Sequence, residues 1–98
     1  MHGLTFDGPG KISYHRHLPD PTIEAPGDVI ISVDRTGLCG SDLHTYEGRE
    51  RARAGVVPGH EAVGTVTGTG ETVTGFSVGD RVVVPFTTSC GTCKPCLI

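Results

Sequence analysis

Several things are missing from this 98-residue sequence, and each absence narrows its function. No run approaches the roughly 20 apolar residues needed to span a bilayer. The opening Met1-His2-Gly3-Leu4-Thr5-Phe6-Asp7 has neither the basic start nor the apolar stretch of a secretory signal. There is no internal repeat and no low-complexity segment. Basic residues are outnumbered, 8 against 11 acidic, and are scattered, so no positive stripe exists to displace counterions from a phosphate backbone. These absences argue against membrane and nucleic-acid partners and point to a cytoplasmic location, where four cysteines serve as thiols or metal ligands more readily than as disulfides.

Two familiar motifs are also absent. His60-Glu61 does not open a zincin HExxH, because Gly64 stands where the second histidine belongs. Gly68-Thr69-Gly70-Glu71-Thr72-Val73 begins like a dinucleotide fingerprint, but Val73 replaces the third glycine and no helical pattern follows. No nucleotide site is visible.

What is present leans toward β structure. The sequence has 11 Val, 5 Ile and 12 Thr, whose branched side chains suit a pleated surface better than a helix. Residues 1–6 and 11–17 read as two strands of a hairpin turned by Asp7-Gly8-Pro9-Gly10. Pro19, Pro21 and Pro26 forbid regular pairing until residues 29–33, the clearest buried strand. Residues 41–46 fit one or two helical turns, with Ser41 or Asp42 available as a cap. Residues 47–58 read as a loop, and its mixed-sign charges from Glu47 to Arg53 as a solvated surface. Residues 62–69 form a strand bent by glycines, and Val78-Gly79-Asp80-Arg81 turns into a strand over 82–84 that Pro85 stops. The sum is one domain over 1–98, mainly β, with five or six short antiparallel strands in a barrel or sandwich and little helix.

Two clusters carry chemistry. Cys90-Gly91-Thr92-Cys93-Lys94-Pro95-Cys96 sets three thiols at intervals of three, the spacing by which a tight loop turns sulfurs toward one tetrahedral ion. A competing redox reading pairs Cys90 with Cys93 or Cys93 with Cys96, as in thioredoxin-like motifs. It is set aside because such motifs sit at a helix start within a βαβ unit, whereas Gly91 and Pro95 suggest a loop. A closed site wants four ligands and the sequence stops at Ile98, so a fourth is expected downstream. The second cluster joins Cys39-Gly40-Ser41-Asp42-Leu43-His44 to Pro58-Gly59-His60-Glu61. A thiolate leaving a strand, an imidazole on a Pro-Gly turn and acids beside both are the parts of an open metal site.

At these residues, with Val78-Gly79-Asp80-Arg81-Val82, the chain resembles the zinc-dependent alcohol dehydrogenases of the medium-chain dehydrogenase/reductase family, in the family's order and over nearly its whole length. The resemblance implies a GroES-like, partly opened β-barrel with one or two short helices, truncated inside the structural-zinc lobe and lacking the Rossmann domain. It implies zinc in two roles, catalytic on Cys39 and His60 and structural on Cys90, Cys93 and Cys96. Glu61 would be the acid that approaches the catalytic metal, and Asp42 the acid that orients His60. Ser41 would take the substrate proton and His44 pass it on. The third catalytic ligand would come from downstream. NAD or NADP would be the hydride acceptor in the full-length protein, an alcohol or aldehyde its substrate, and a homodimer or homotetramer its assembly. Gly40 stands where some members carry a basic residue against the cofactor phosphates, which leaves NAD against NADP open. The wording of the motifs is closer to the polyol, threonine and formaldehyde branches. His2, His15 and His17 match no motif and read as surface residues. Two alternatives remain at this point: a GroES-like binding module, and a non-catalytic protein in which Cys39, Cys90, Cys93 and Cys96 make one Cys₄ site.

Overall fold

The computed structural model describes all 98 residues. Strands β1 (Gly3–Gly8) and β2 (Lys11–His15) form an antiparallel hairpin, with Thr5 opposite Ser13 and Phe6 opposite Ile12. A three-stranded antiparallel sheet follows in the order β3 (Val29–Thr36), β4 (Ala62–Thr69), β5 (Arg81–Val84). Two short helices, α1 (Gly40–Tyr46) and α2 (Lys94–Leu97), complete the chain. The architecture is strand-rich with two short helices and open sheets, as expected.

Local chemistry explains the joints. The pairing of β3 with β4 has two register shifts, one between Ile30 and Ile31, where Thr67 is the extra residue of β4, and one between Val33 and Arg35, where Asp34 is the extra residue of β3. Gly64 lies so close to the Ser32 carbonyl that any Cβ would collide with backbone, which is why a glycine sits there, fully buried. The Val78-Gly79 turn is closed by Asp80, whose carboxylate accepts the Ser77 N–H at 2.9 Å, and Val66 N–H donates to the Asp80 carbonyl at 2.8 Å. Asp28 accepts the Glu24 and Ala25 N–H groups at 3.0 and 2.8 Å, organising the proline-rich approach to β3. The hairpin docks through backbone: Phe6 N–H donates to Val56 at 2.8 Å, and Gly10 N–H to Tyr46 at the end of α1 at 2.7 Å.

The core is small. Only five residues are buried, and only two of them, Phe6 and Val66, are large apolar side chains. No helix is long and apolar enough to cross a membrane.

Two sequence expectations shift. β3 runs three residues past 33, to Thr36, because its continuation pairs with the start of β4, Thr36 opposite Ala62. Residues 94–97, read as part of a loop, make a helical turn capped by Cys93. Pro95 falls in the first turn, where a missing N–H costs nothing because that group has no intrahelical partner.

Candidate metal centres

The pairing of β3 with β4 builds the first centre. The end of β3 and the start of β4 lie side by side, so Cys39, just past one, meets His60 and Glu61, just before the other. Thr36 Oγ1 donates to the Glu61 carbonyl at 2.7 Å and Gly37 N–H to the same oxygen at 3.2 Å, locking the two segments together. Gly59, at φ +110°, takes a conformation that L side chains rarely adopt and turns the chain into His60. Ligand atoms of Cys39, His60 and Glu61 all lie within 4.8 Å of one another.

Asp42 ties this group to α1. One carboxylate oxygen, Oδ2, accepts the Cys39 N–H at 2.8 Å, and the other, Oδ1, lies 3.2 Å from His60 Nδ1. With Nδ1–H donated to Asp42, Nε2 is left as the free lone pair, on the side of Cys39, Ser41 and Glu61. The helix therefore starts at Gly40 with Cys39 as its cap residue, and Asp42 satisfies the cap from inside the first turn; Ser41 does not cap. Ser41 Oγ instead stands 3.5 Å from both Cys39 Sγ and His60 Nε2. Those contacts draw the Cys39 thiol below its ordinary range, the Ser41 hydroxyl first and His60 after it. His60 is raised, chiefly by its hydrogen bond with Cys39 and further by the Asp42 charge. His44 is exposed on the same helix and does not join the group.

The second centre holds Cys90, Cys93 and Cys96, all exposed. Cys93 donates its thiol hydrogen to Cys96 at 3.2 Å, and Cys90 and Cys96 stand 3.7 Å apart. Cys90 accepts from the Thr92 hydroxyl at 3.4 Å and the Cys93 N–H at 3.3 Å. Bonds from the Thr92 side chain and backbone, then from Cys93, bring its pKa down to about 6. Cys93, as donor to Cys96, is pushed up, and Cys96 is lowered by accepting that bond.

Both donor sets fit zinc. Two sulfurs bound at about 2.3 Å to one tetrahedral ion stand about 3.8 Å apart, close to the Cys90–Cys96 separation of 3.7 Å. Soft thiolates with imidazole are the donors zinc takes. Cys39 belongs to a different group from the three lobe cysteines, which disfavours a single Cys₄ site.

Residues 25–98 match the family model described as the alcohol dehydrogenase GroES-like domain. The chain belongs to this family. Among GroES-like relatives, it is 45% identical over 96 residues to zinc-type alcohol dehydrogenase B of Aspergillus flavus, covering 98% of this chain and 22% of that protein. It superposes on alcohol dehydrogenase TADH from Thermus sp. ATN1 with a TM-score of 0.91 at 37% identity, over 99% of this chain and 28% of the other. CAD from Helicobacter pylori, solved in complex with NADP(H), gives a TM-score of 0.74 at 32% identity, over 98% and 28% of the two chains. The chain thus spans about a quarter of the length of these GroES-like proteins.

Sequence reasoning missed several residues that build the centres. Thr92 orients Cys90, and its only signal was a hydroxyl between two cysteines. Thr36 fixes Glu61 across the sheet, a contact with no local pattern. An open groove of about 470 Å³, lined by Arg35, Val63, Val84, Pro85 and Phe86, touches the site only at Glu61. Cys39, Ser41 and His60 do not line it.

Proposed function

We propose that this chain is the zinc-binding part of the catalytic domain of an NAD(P)-dependent zinc alcohol dehydrogenase. The observation that carries the reading is the first centre, where Cys39 and His60 converge and Asp42 positions both. Cys39 and His60 hold the catalytic zinc, with Glu61 within reach of it, and Cys90, Cys93 and Cys96 hold a structural zinc. When bound, the catalytic ion supplies a Lewis acid that polarises the substrate oxygen.

The remaining chemistry belongs to this chain's residues. Asp42 keeps the proton on His60 Nδ1, so Nε2 faces the metal position as a neutral donor. Ser41 Oγ, 3.5 Å from both Cys39 Sγ and His60 Nε2, takes the proton that an alcohol must lose. His44, exposed on the same helix as Ser41, carries that proton on to solvent. Further polypeptide supplies the third catalytic ligand, a fourth lobe ligand and the nicotinamide-binding Rossmann domain, which agrees with the quarter of its relatives' length that this chain spans. The bound NADP(H) of the Helicobacter pylori neighbour supports the cofactor class. The substrate is a small alcohol or the matching carbonyl compound, the assembly a homodimer or homotetramer, and the location cytoplasmic.

The test is turnover in the protein at the length of its relatives. It should reduce NAD or NADP with an alcohol, and His60→Ala should remove that activity while a zinc ion remains in the lobe. Full activity in His60→Ala would discard the assigned role.

A further inference from the structure

The cysteine lobe contains a dithiol arranged for a second chemistry. Cys93 is the N-cap residue of α2, Pro95 lies in its first turn and Cys96 lies within it, so Cys93-Lys94-Pro95-Cys96 sits on a single helical turn, although no βαβ unit surrounds it. The two sulfurs are 3.2 Å apart and already share a hydrogen, with Cys93 as donor and Cys96 as acceptor. Closing to a disulfide length of about 2.05 Å requires an approach of about 1.2 Å, within reach of side-chain rotation. The helical turn and the fixed φ of Pro95 have already removed most of the chain entropy that closing so small a loop would cost. All three lobe thiols are exposed, so an oxidant reaches them without unfolding the chain.

We propose that Cys93 and Cys96 are a modification site, forming an intrachain disulfide when a hydroperoxide oxidises the lobe. Cys96 Sγ, the acceptor of the Cys93 hydrogen, attacks the peroxide; the O–O bond breaks, an alcohol or water leaves, and Cys96 becomes a sulfenic acid. Cys93 Sγ then attacks the Cys96 sulfur, the S–O bond breaks and water departs with the thiol proton. Two thiols lose two electrons and two protons, and the hydroperoxide gains them. The product ties up two of the three lobe sulfurs and leaves Cys90 free, so oxidation and metal binding draw on the same electron pairs. The proposal needs only the thiol geometry and stands apart from the alcohol dehydrogenase reading.

The experiment treats the protein at the length of its relatives, freed of metal by a chelator, with one equivalent of hydrogen peroxide, then measures intact mass, free thiols and fragment masses. The expected result is a loss of about 2 Da and of two free thiols. Fragmentation should place the bridge between Cys93 and Cys96, and dithiothreitol should reverse it. Cys93→Ser should slow the mass loss by about tenfold or more, whereas in Cys90→Ser the same Cys93–Cys96 bridge should still form. A bridge to Cys90 or Cys39, a bridge between chains, stable oxygen adducts, or a wild-type rate in Cys93→Ser would overturn the proposal. Failure of the lobe to bind zinc would count against its metal role and leave this result intact.

Discussion

Asp42 is the residue on which the first centre turns. Its two oxygens fix the backbone of Cys39 and the ring of His60, so one carboxylate sets the position of a thiolate and the tautomer of an imidazole. Asp42→Ala should lower the zinc affinity of that centre by about 10- to 100-fold and weaken α1 by about 1 kcal/mol. Chelator competition reads the first effect, with the lobe's affinity as an unchanged internal standard; equal loss at both centres would show a general unfolding instead. Gly64 offers a second test. A Cβ there meets the Ser32 backbone, whereas at Gly68 it meets only the Ile30 side chain at 3.8 Å. Gly64→Ala should therefore cost about 1–3 kcal/mol in a urea titration of the protein at the length of its relatives, and Gly68→Ala much less.

Among the elements, the hairpin has a pH dependence whose sign is fixed. Asp7 accepts hydrogen bonds from Ser13 and from Thr5 Oγ1, the latter at 2.8 Å, and these hold its carboxyl below the ordinary 3.8, Ser13 more than Thr5. A lowered folded pKa means the contribution is complete above the unfolded value and is lost as pH falls through the folded one. The stability difference between the wild type and Asp7→Asn should be flat above about pH 5 and shrink toward pH 2. A difference that grows on acidification would contradict the hydrogen-bond assignment. The elements also show what a sequence reveals. The bounds of β4 were readable because small and branched residues alternate from Ala62 to Thr69, and α1 because Ser41 and Asp42 announce a first turn. The turn of α2 was not, because Gly91 and Pro95 signal a loop unless the proline's place in the first turn is known. Cys39 and His60 were readable as a pair from their motifs, whereas the Thr36 bond to Glu61 depends on strand register, which no local pattern encodes.

For the whole molecule, area and compactness agree. A compact protein of 10.2 kDa exposes about 5,300 Å², whereas this chain exposes 7594 Å². Its radius of gyration is 15.1 Å against about 13 Å for a compact domain of this length. Its 43 backbone hydrogen bonds compare with about 65 for an ordinary domain of this size. With Phe6 and Val66 as the only large apolar side chains buried, little hydrophobic free energy stands against the entropy of ordering 98 residues. Isolated, the metal-free chain should bind a hydrophobic dye and melt broadly, and a sharp, dye-silent transition would contradict this reading of the surface. Zinc that closes either centre should sharpen the melt by mass action.

The central claim is that the thiolates and imidazole serve two separate zinc ions, and metal stoichiometry in the protein at the length of its relatives tests it most directly. Two zinc ions per chain are expected, with Cys39→Ser losing one and Cys93→Ser losing the other. A single ion abolished equally by either substitution would contradict it.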